Sequence, residues 1–397
     1  MRALCVDDCW IQADATCPNM MGIPNDRWGT YVQESGEALL ELLRERSVQR
    51  DKKKQVCLIL GQGFDPRMLS GLDLLSRVFD PREIAVVVLL FDEGATSPSR
   101  KYDNLVQQNL AKLKTIVCDT QIQERRISMF SPEGRRTTSR SAGAVFRSST
   151  ELQQFSDIFI DVSSLPRSVY FPVVAKLLFL LDQTGRVPAS NLFVLVSENP
   201  ELDEQIVEEG IDEDADYVHP FRGGVEREST ASRPRIWFPL LGEGQRVQLK
   251  CICDLINPAE ICPLLPFPSL NPRRGDDLVI EYRELLVEQL RVEMRNFIYA
   301  SETNPFEVYR QLRRAVLHYA NALKPLGGSS AVISANSSKL LSVGALLAAY
   351  ELKRTKVDVA IAHVETHGYT LRDPSHLNRF ASESRLHGLW LSGDCYE

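Results

Sequence analysis

Short apolar runs punctuate the chain, and each gives way to a polar loop and then to apolar residues at helical spacing. Val56-Cys57-Leu58-Ile59-Leu60 is the first; Gly61-Gln62-Gly63-Phe64-Asp65-Pro66-Arg67 follows, and Met68, Leu69, Leu72, Leu75 and Val78 mark a helix. An unbroken apolar run predicts a strand buried on both faces, and the spacing after it predicts a helix lying on the sheet. The pattern returns at 84–91 with a helix over 105–113, at 155–162 with a helix over 169–181, and at 192–196. In the second half, strands are predicted at 235–241, 247–256, 296–300, 331–333 and 357–364, and helices at 278–290, 306–323 and from 340. Residues 35–50 predict one more amphipathic helix. Strand, loop and helix in steady alternation specify an α/β fold: two tandem Rossmann-like domains with mainly parallel sheets.

Composition divides the chain further. An irregular N-terminal cap and helix (1–50) precede a first Rossmann-like domain (51–205) with an Arg- and Ser-rich insertion at 121–150. An acidic linker (206–232), a second Rossmann-like domain (233–370) and a loosely packed polar tail (371–397) complete the division. The insertion carries Arg125, Arg126, Arg135, Arg136, Arg140 and Arg147. It reads first as a mobile solvated loop and second as a polyanion contact. The carboxylates of residues 198–216 lack calcium-loop spacing and read as a solvated helix and linker.

Charge narrows the partners. With 46 Lys and Arg against 53 Asp and Glu, the net charge is −7. A face for extended duplex nucleic acid is therefore not expected, and any anion must meet a local basic cluster. Nine cysteines, several inside apolar runs, suit free thiols in a reducing cytoplasm. No apolar run is long enough for a membrane span, and Asp7 and Asp8 stand where a signal peptide needs an apolar core. The expected localisation is cytoplasmic.

Familiar catalytic and cofactor motifs do not occur. The Gly61-Gln62-Gly63 turn lacks the third glycine of a dinucleotide fingerprint, and there is neither a P-loop nor a G-x-S-x-G elbow. No cofactor is called for. Cys5, Cys9 and Cys17 are too loosely spaced for zinc. His363 and His367, four apart on a strand, would lie roughly 13 Å apart and cannot share a metal.

The candidate chemistry sits in the turns between strands and helices. Asp65-Pro66-Arg67, Leu165-Pro166-Arg167, Asn271-Pro272-Arg273-Arg274 and Asn304-Pro305 all occupy such turns, and Asn336-Ser337-Ser338-Lys339 does so without the proline. A capping residue followed by proline is how helices begin, so capping explains Asp-Pro and Asn-Pro. It does not explain a cation in the first turn, which opposes the helix dipole at a cost of a few tenths of a kcal/mol. Arg67, Arg167, Arg273, Arg274 and Lys339 all lie there, and in parallel sheets such turns gather at the carboxyl ends of the strands, where ligands bind. They predict either a shared phosphate-bearing ligand or internal pairing with Asp276, Asp277 or Glu302. Hydrogen bonds to a ligand are expected from Gln62, Ser163, Ser164, Ser269, Asn271, Ser301, Asn336, Ser337 and Ser338. If the protein is an enzyme, Asp65, Asp161 or Glu302 is placed to act as general acid or base.

Tandem Rossmann-like halves with ligand loops at the strand ends resemble the CARF and SAVED nucleotide sensors of prokaryotic immunity, over residues 55–370. The G-Q-G-F-D-P-R and S-S-K-L-L-S-V-G runs also resemble a poorly characterised bacterial family. The sensor resemblance implies a cyclic nucleotide or short oligonucleotide held by the strand-end loops of a regulatory subunit. A nucleotide- or nucleoside-processing enzyme is the second reading. A scaffold docking a protein partner in a multi-subunit complex is the third.

Overall fold

The computed structural model describes residues 26–183, 190–225, 230 and 232–396. The first half contributes β1 (Val32–Ser35), α1 (Gly36–Gln49), β2 (Gln55–Gly61), α2 (Ser70–Leu75), β3 (Ile84–Asp92), α3 (Asp103–Ile116) and β4 (Ile122–Ser128). It continues with α4 (Thr138–Gly143), β5 (Phe155–Asp161), α5 (Arg167–Asp182), β6 (Asn191–Glu198) and α6 (Pro200–Gln205). Next come β7 (Ile206–Glu208), β8 (Asp216–Tyr217), β9 (Arg235–Leu240), α7 (Arg246–Ile256), β10 (Glu260–Ile261), β11 (Leu264–Pro266) and α8 (Arg274–Glu281). The rest is β12 (Ile298–Ala300), α9 (Pro305–Ala322), β13 (Ser330–Ala335), α10 (Lys339–Arg354), β14 (Val359–His363), β15 (Tyr369–Leu371), α11 (Leu377–Glu383) and β16 (Arg385–Ser392).

Two sheets organise these elements, and their parallel cores have the same order. The first runs β6-β5-β2-β3-β4 and the second β14-β13-β9-β11-β12. In each, the opening strand sits in the middle, two successors lie on one side, and the chain then crosses to lay two on the other. That is the Rossmann order, present twice. The crossing points lie between β2 and β5 and between β9 and β13, and each leaves a crevice at the carboxyl ends of its strands.

The crossover helices that follow β5 and β13 are α5 and α10. Both are apolar around most of their circumference, which a helix tolerates only when covered on several sides. One continuous cluster contains Ile160, Val174 and Leu178 from the first half together with Phe238, Ile333 and Leu346 from the second. The two halves therefore share a core. No described helix is long and apolar enough to cross a membrane.

Several segments differ from their sequence reading. Residues 247–256, read as a strand, form α7: Leu249, Ile252, Cys253 and Ile256 are its buried positions, and their 3-4 spacing outweighs the Leu-Cys-Cys-Leu alternation. The Arg-rich insertion contains β4 and α4, with Ile127, Met129, Ala142 and Phe146 buried, and is part of the first sheet's edge. Residues expected as an acidic linker supply β7, paired with β15, and β8, paired with β14. The polar tail holds α11 and β16, and β16 lies antiparallel between β6 and β1. Residues 32–35 of the expected cap are thus β1 and the expected helix is α1, while residues 1–25, with Cys5, Cys9 and Cys17, fall outside the described residues.

Trp390 explains why β16 returns. Its ring lies 4.8 Å from Phe193, and Nε1 donates to Asn191 Oδ1 at 3.1 Å and to the Ser392 carbonyl at 3.0 Å. Trp390→Ala should lower stability by about 3–5 kcal/mol in urea unfolding, because both the aromatic packing and the indole partners are lost. A loss below about 1 kcal/mol, the scale of an ordinary surface substitution, would mean that β16 is dispensable.

Candidate functional site

The two sheets present their carboxyl ends to each other, and the contact is reciprocal. Arg167, the first residue of α5, donates from Nη2 to the Ser337 carbonyl in the turn before α10. Lys339, the first residue of α10, donates from Nζ to the Ser163 carbonyl in the turn before α5. Arg167 also lies 3.8 Å from Glu208 and reaches Ser342 Oγ at 3.5 Å. Each helix therefore begins with a cation that crosses to the other half, which explains why the dipole cost is tolerated.

The positive end of α10 is already occupied. Ser338 caps it, its hydroxyl accepting from Leu341 N at 3.3 Å, and Glu198 at the end of β6 accepts from Leu340 N at 2.9 Å. A carboxylate at a helix N-terminus stands where a ligand anion would sit. Beside it, Asn336 and Ser337 are 4 % and 6 % exposed, and among the described residues neither Asn336 Oδ1 nor Ser337 Oγ has a hydrogen-bond partner. Backbone crowds the second crossing point closely: a Cβ on Gly242 would overlap the Asn336 carbonyl.

Burial at this seam moves several titratable groups toward neutrality. It pushes the Glu198 carboxyl up to about 7, against the hydrogen bond from Leu340 N, with Asp203 adding repulsion. It holds the Lys339 ammonium down at about 8, and the neighbouring Arg67 and Arg167 charges press it further. Glu365, just beyond β14, is raised to about 7, and His363 is lowered to about 3, both chiefly by burial. Shifts of this kind gather where chemistry or ligand exchange occurs, although structural ion pairs produce them as well.

Three of the five expected cations converge here. The mutual repulsion of Lys339 with Arg67 and Arg167 places them within reach of one another. Arg67 is 3 % exposed and held by its own half: Asp65 takes Nε at 3.0 Å and Nη2 at 2.8 Å, and Asp203 takes Nη1 at 2.8 Å. Burial opposes its charge, but the two carboxylates outweigh it and push its pKa up. Arg274 is elsewhere, paired with Glu243 and Glu302, and Arg273 is exposed with its amide on Asn271 Oδ1. The expectation that all five cations share one anion is therefore corrected: the second sheet's β11–α8 turn pairs internally.

The remaining expected residues divide in the same way. Ser163 accepts from Ser197 N through its hydroxyl, and Ser164 donates to the Gly61 carbonyl at 3.2 Å, so both brace the first crossing point. Gln62 follows β2, its amide on the Leu89 carbonyl. Ser269 and Asn271 bond within their own turn, and Ser301 donates its amide to Glu307. None of the three acid–base candidates is free. Asp65 holds Arg67, and Glu302 holds Arg274 and accepts from Leu270 N at 2.7 Å. Asp161, pushed by burial up to about 6, takes Gly71 N at 2.8 Å and Ser163 N at 2.9 Å, and a Cβ on Gly71 would meet its carboxylate.

Sequence reasoning missed Glu198, Glu208 and Glu365. Glu198 carried a usable signal: a carboxylate closing an apolar strand, directly before the Asn199-Pro200 helix start. Glu208 lay in a segment read as solvated, and Glu365 in one read as strand-end packing.

The raised Glu198 value gives a pH dependence of definite sign. Its folded-state pKa lies above the ordinary value, so the fold favours the protonated form and loses stability as pH rises toward 7. Glu198→Gln keeps the acceptor for Leu340 N but cannot ionise. Between about pH 5 and pH 8 its stability should rise relative to wild type by roughly 1–3 kcal/mol, read from paired urea unfolding curves. Parallel pH profiles for the two proteins would show that Glu198 is not desolvated.

No family model and no curated protein matches the chain. Among solved structures, a universal stress protein from Archaeoglobus fulgidus DSM 4304 aligns at 10% identity over 77% of this chain and 95% of that one, with a TM-score of 0.21. A hexameric APS kinase from Thiobacillus denitrificans aligns at 11% identity over 81% of this chain and 60% of that one, with a TM-score of 0.19. Superpositions this poor transfer no function, and the Rossmann-like assignment rests on the strand order.

Proposed function

We propose that the chain is a nucleotide- or short-oligonucleotide-binding sensor, a regulatory subunit whose ligand phosphate displaces the contacts across the seam. The observation that supports it is the reciprocal crossing of Arg167 and Lys339 between the two Rossmann crossing points. Lys339 is satisfied by a neutral carbonyl, and a phosphate oxygen is a stronger, charge-assisted partner for it. Glu198 already models an anion at the α10 terminus, and with its pKa near 7 it can take up a proton and yield that position. The unpartnered Asn336 Oδ1 suits a ribose hydroxyl as donor. Because protein contacts close the seam, binding must part them, and a ligand that favours the parted state shifts the population toward it. A setting in prokaryotic defence or signalling is proposed on the CARF and SAVED resemblance alone. A protein partner is the companion proposal, supported by Phe267, Ile280, Met294 and Tyr299, which stand exposed around the edge strand β12.

The second reading, an enzyme, would draw on buried carboxyls that burial holds near neutrality: Glu198, on the amide of Leu340 at the start of α10, and Glu365, beside Ser168 at the start of α5. A single panel separates the readings. Nucleotides and short oligonucleotides are tested for thermal shift and, in the same samples, for product. A binder at a hundredfold excess over its Kd should add about 2.7 kcal/mol of stability. Lys339→Glu and Arg167→Glu should abolish the shift, whereas Arg273→Glu, exposed and away from the seam, should keep it. Product formation would move the assignment to the enzyme reading. No shift from any member of the panel, or an undiminished shift in both seam variants, would remove the sensor assignment.

A further inference from the structure

A second basic cluster lies on the far edge of the first sheet, where, among the described residues, β4 has β3 on one side and no strand on the other. An open groove of about 580 Å³ runs along this edge, lined by Arg125, Arg126 and Arg147 with Ser128, Ser141 and Glu151. Its size is within the range of small-molecule sites, roughly 300–1,000 Å³. Both neighbours on β4, Arg125 and Arg126, line the groove because it follows the strand's free edge instead of one face.

Arg125 is built in. Its guanidinium stacks over Phe146 at 4.5 Å, and Nη1 donates to the Val145 carbonyl and to Glu151 Oε2, each at 2.7 Å. Glu151 is the one carboxylate among the described residues lining the groove, and it is fully engaged. Its other oxygen accepts from Arg147 N at 2.8 Å and Ser148 N at 3.1 Å. Arg126 and Arg147 are exposed, and among the described residues neither guanidinium has a hydrogen-bond or ion-pair partner. Three guanidinium charges against one carboxylate leave two positive charges unbalanced. In a protein of net charge −7, a local excess of positive charge of this kind is an exception.

We infer that this groove binds the phosphomonoester dianion of a small phosphorylated molecule, separately from the seam. Two unbalanced guanidiniums match a dianion in charge, Arg forks match its oxygens in geometry, and the Ser128 and Ser141 hydroxyls add donors. No exposed aromatic ring lines the groove, so nothing in it would stack on a base; the phosphate end is what it recognises.

The test is calorimetric titration of the full chain with inorganic phosphate. The double variant Arg126→Glu/Arg147→Glu should bind at least about tenfold more weakly, while Arg273→Glu, exposed and away from both the groove and the seam, binds as wild type does; Lys339→Glu is titrated alongside. Both arginines are exposed, so the double variant should fold; if its circular dichroism or melting differs from wild type, Arg147→Ala replaces it and should weaken binding severalfold. Three results would overturn the inference: no phosphate binding by wild type at about 10 mM, far above a useful Kd; undiminished binding in the groove variants; or binding lost only in Lys339→Glu. The last would place the phosphate at the seam and leave the sensor assignment standing while this one fell.

Discussion

Two cations that cross in opposite directions hold the carboxyl ends of the two sheets together. Arg167 and Lys339 each start a helix, where a positive charge is unfavourable, and each escapes by reaching a carbonyl in the other half. Once α5 and α10 are docked, each cation is supplied with a partner that its own half does not offer. The apolar packing of these helices makes that docking favourable, and the polar crossing fixes its register. A purely apolar seam between two long helices would tolerate sliding; two directional hydrogen bonds from charged donors do not.

The seam is therefore an ordered polar layer inside a shared core, and its charges are incompletely matched. Arg67 has two carboxylates of its own, but Lys339 has a carbonyl, and Glu198 has backbone and hydroxyl donors. Desolvation then drives Lys339 and Glu198 toward their neutral forms. This incompletely matched layer is where the ligand proposed above would act.

The first sheet owes its completeness to both ends of the described chain. β16 and β1 add antiparallel strands beyond β6, cover the edge that would otherwise stay open, and bring Trp390 onto Phe193. The opposite edge, β4, keeps its free side, and the basic groove lies there. The same fold thus extends one margin by two antiparallel strands and ends the other at β4.

Much of the architecture could be read from residue order. Apolar periodicity is a local property, so the buried strands β2, β3, β5, β6, β9, β13 and β14 and the helices α5, α9 and α10 stand out without tertiary context. The short or polar strands did not, because β4, β7 and β16 gain their stability from a neighbouring strand or from one aromatic anchor. At α7 the two periods competed, and burial of Ile252 and Ile256 settled it as a helix. The misplaced cations at helix starts were visible in the sequence, and Arg67, Arg167 and Lys339 do meet. Their partners were not visible. Whether a guanidinium or ammonium finds a carbonyl, a carboxylate or open solvent depends on which loops are apposed when distant segments dock, and no local pattern of residues encodes that apposition.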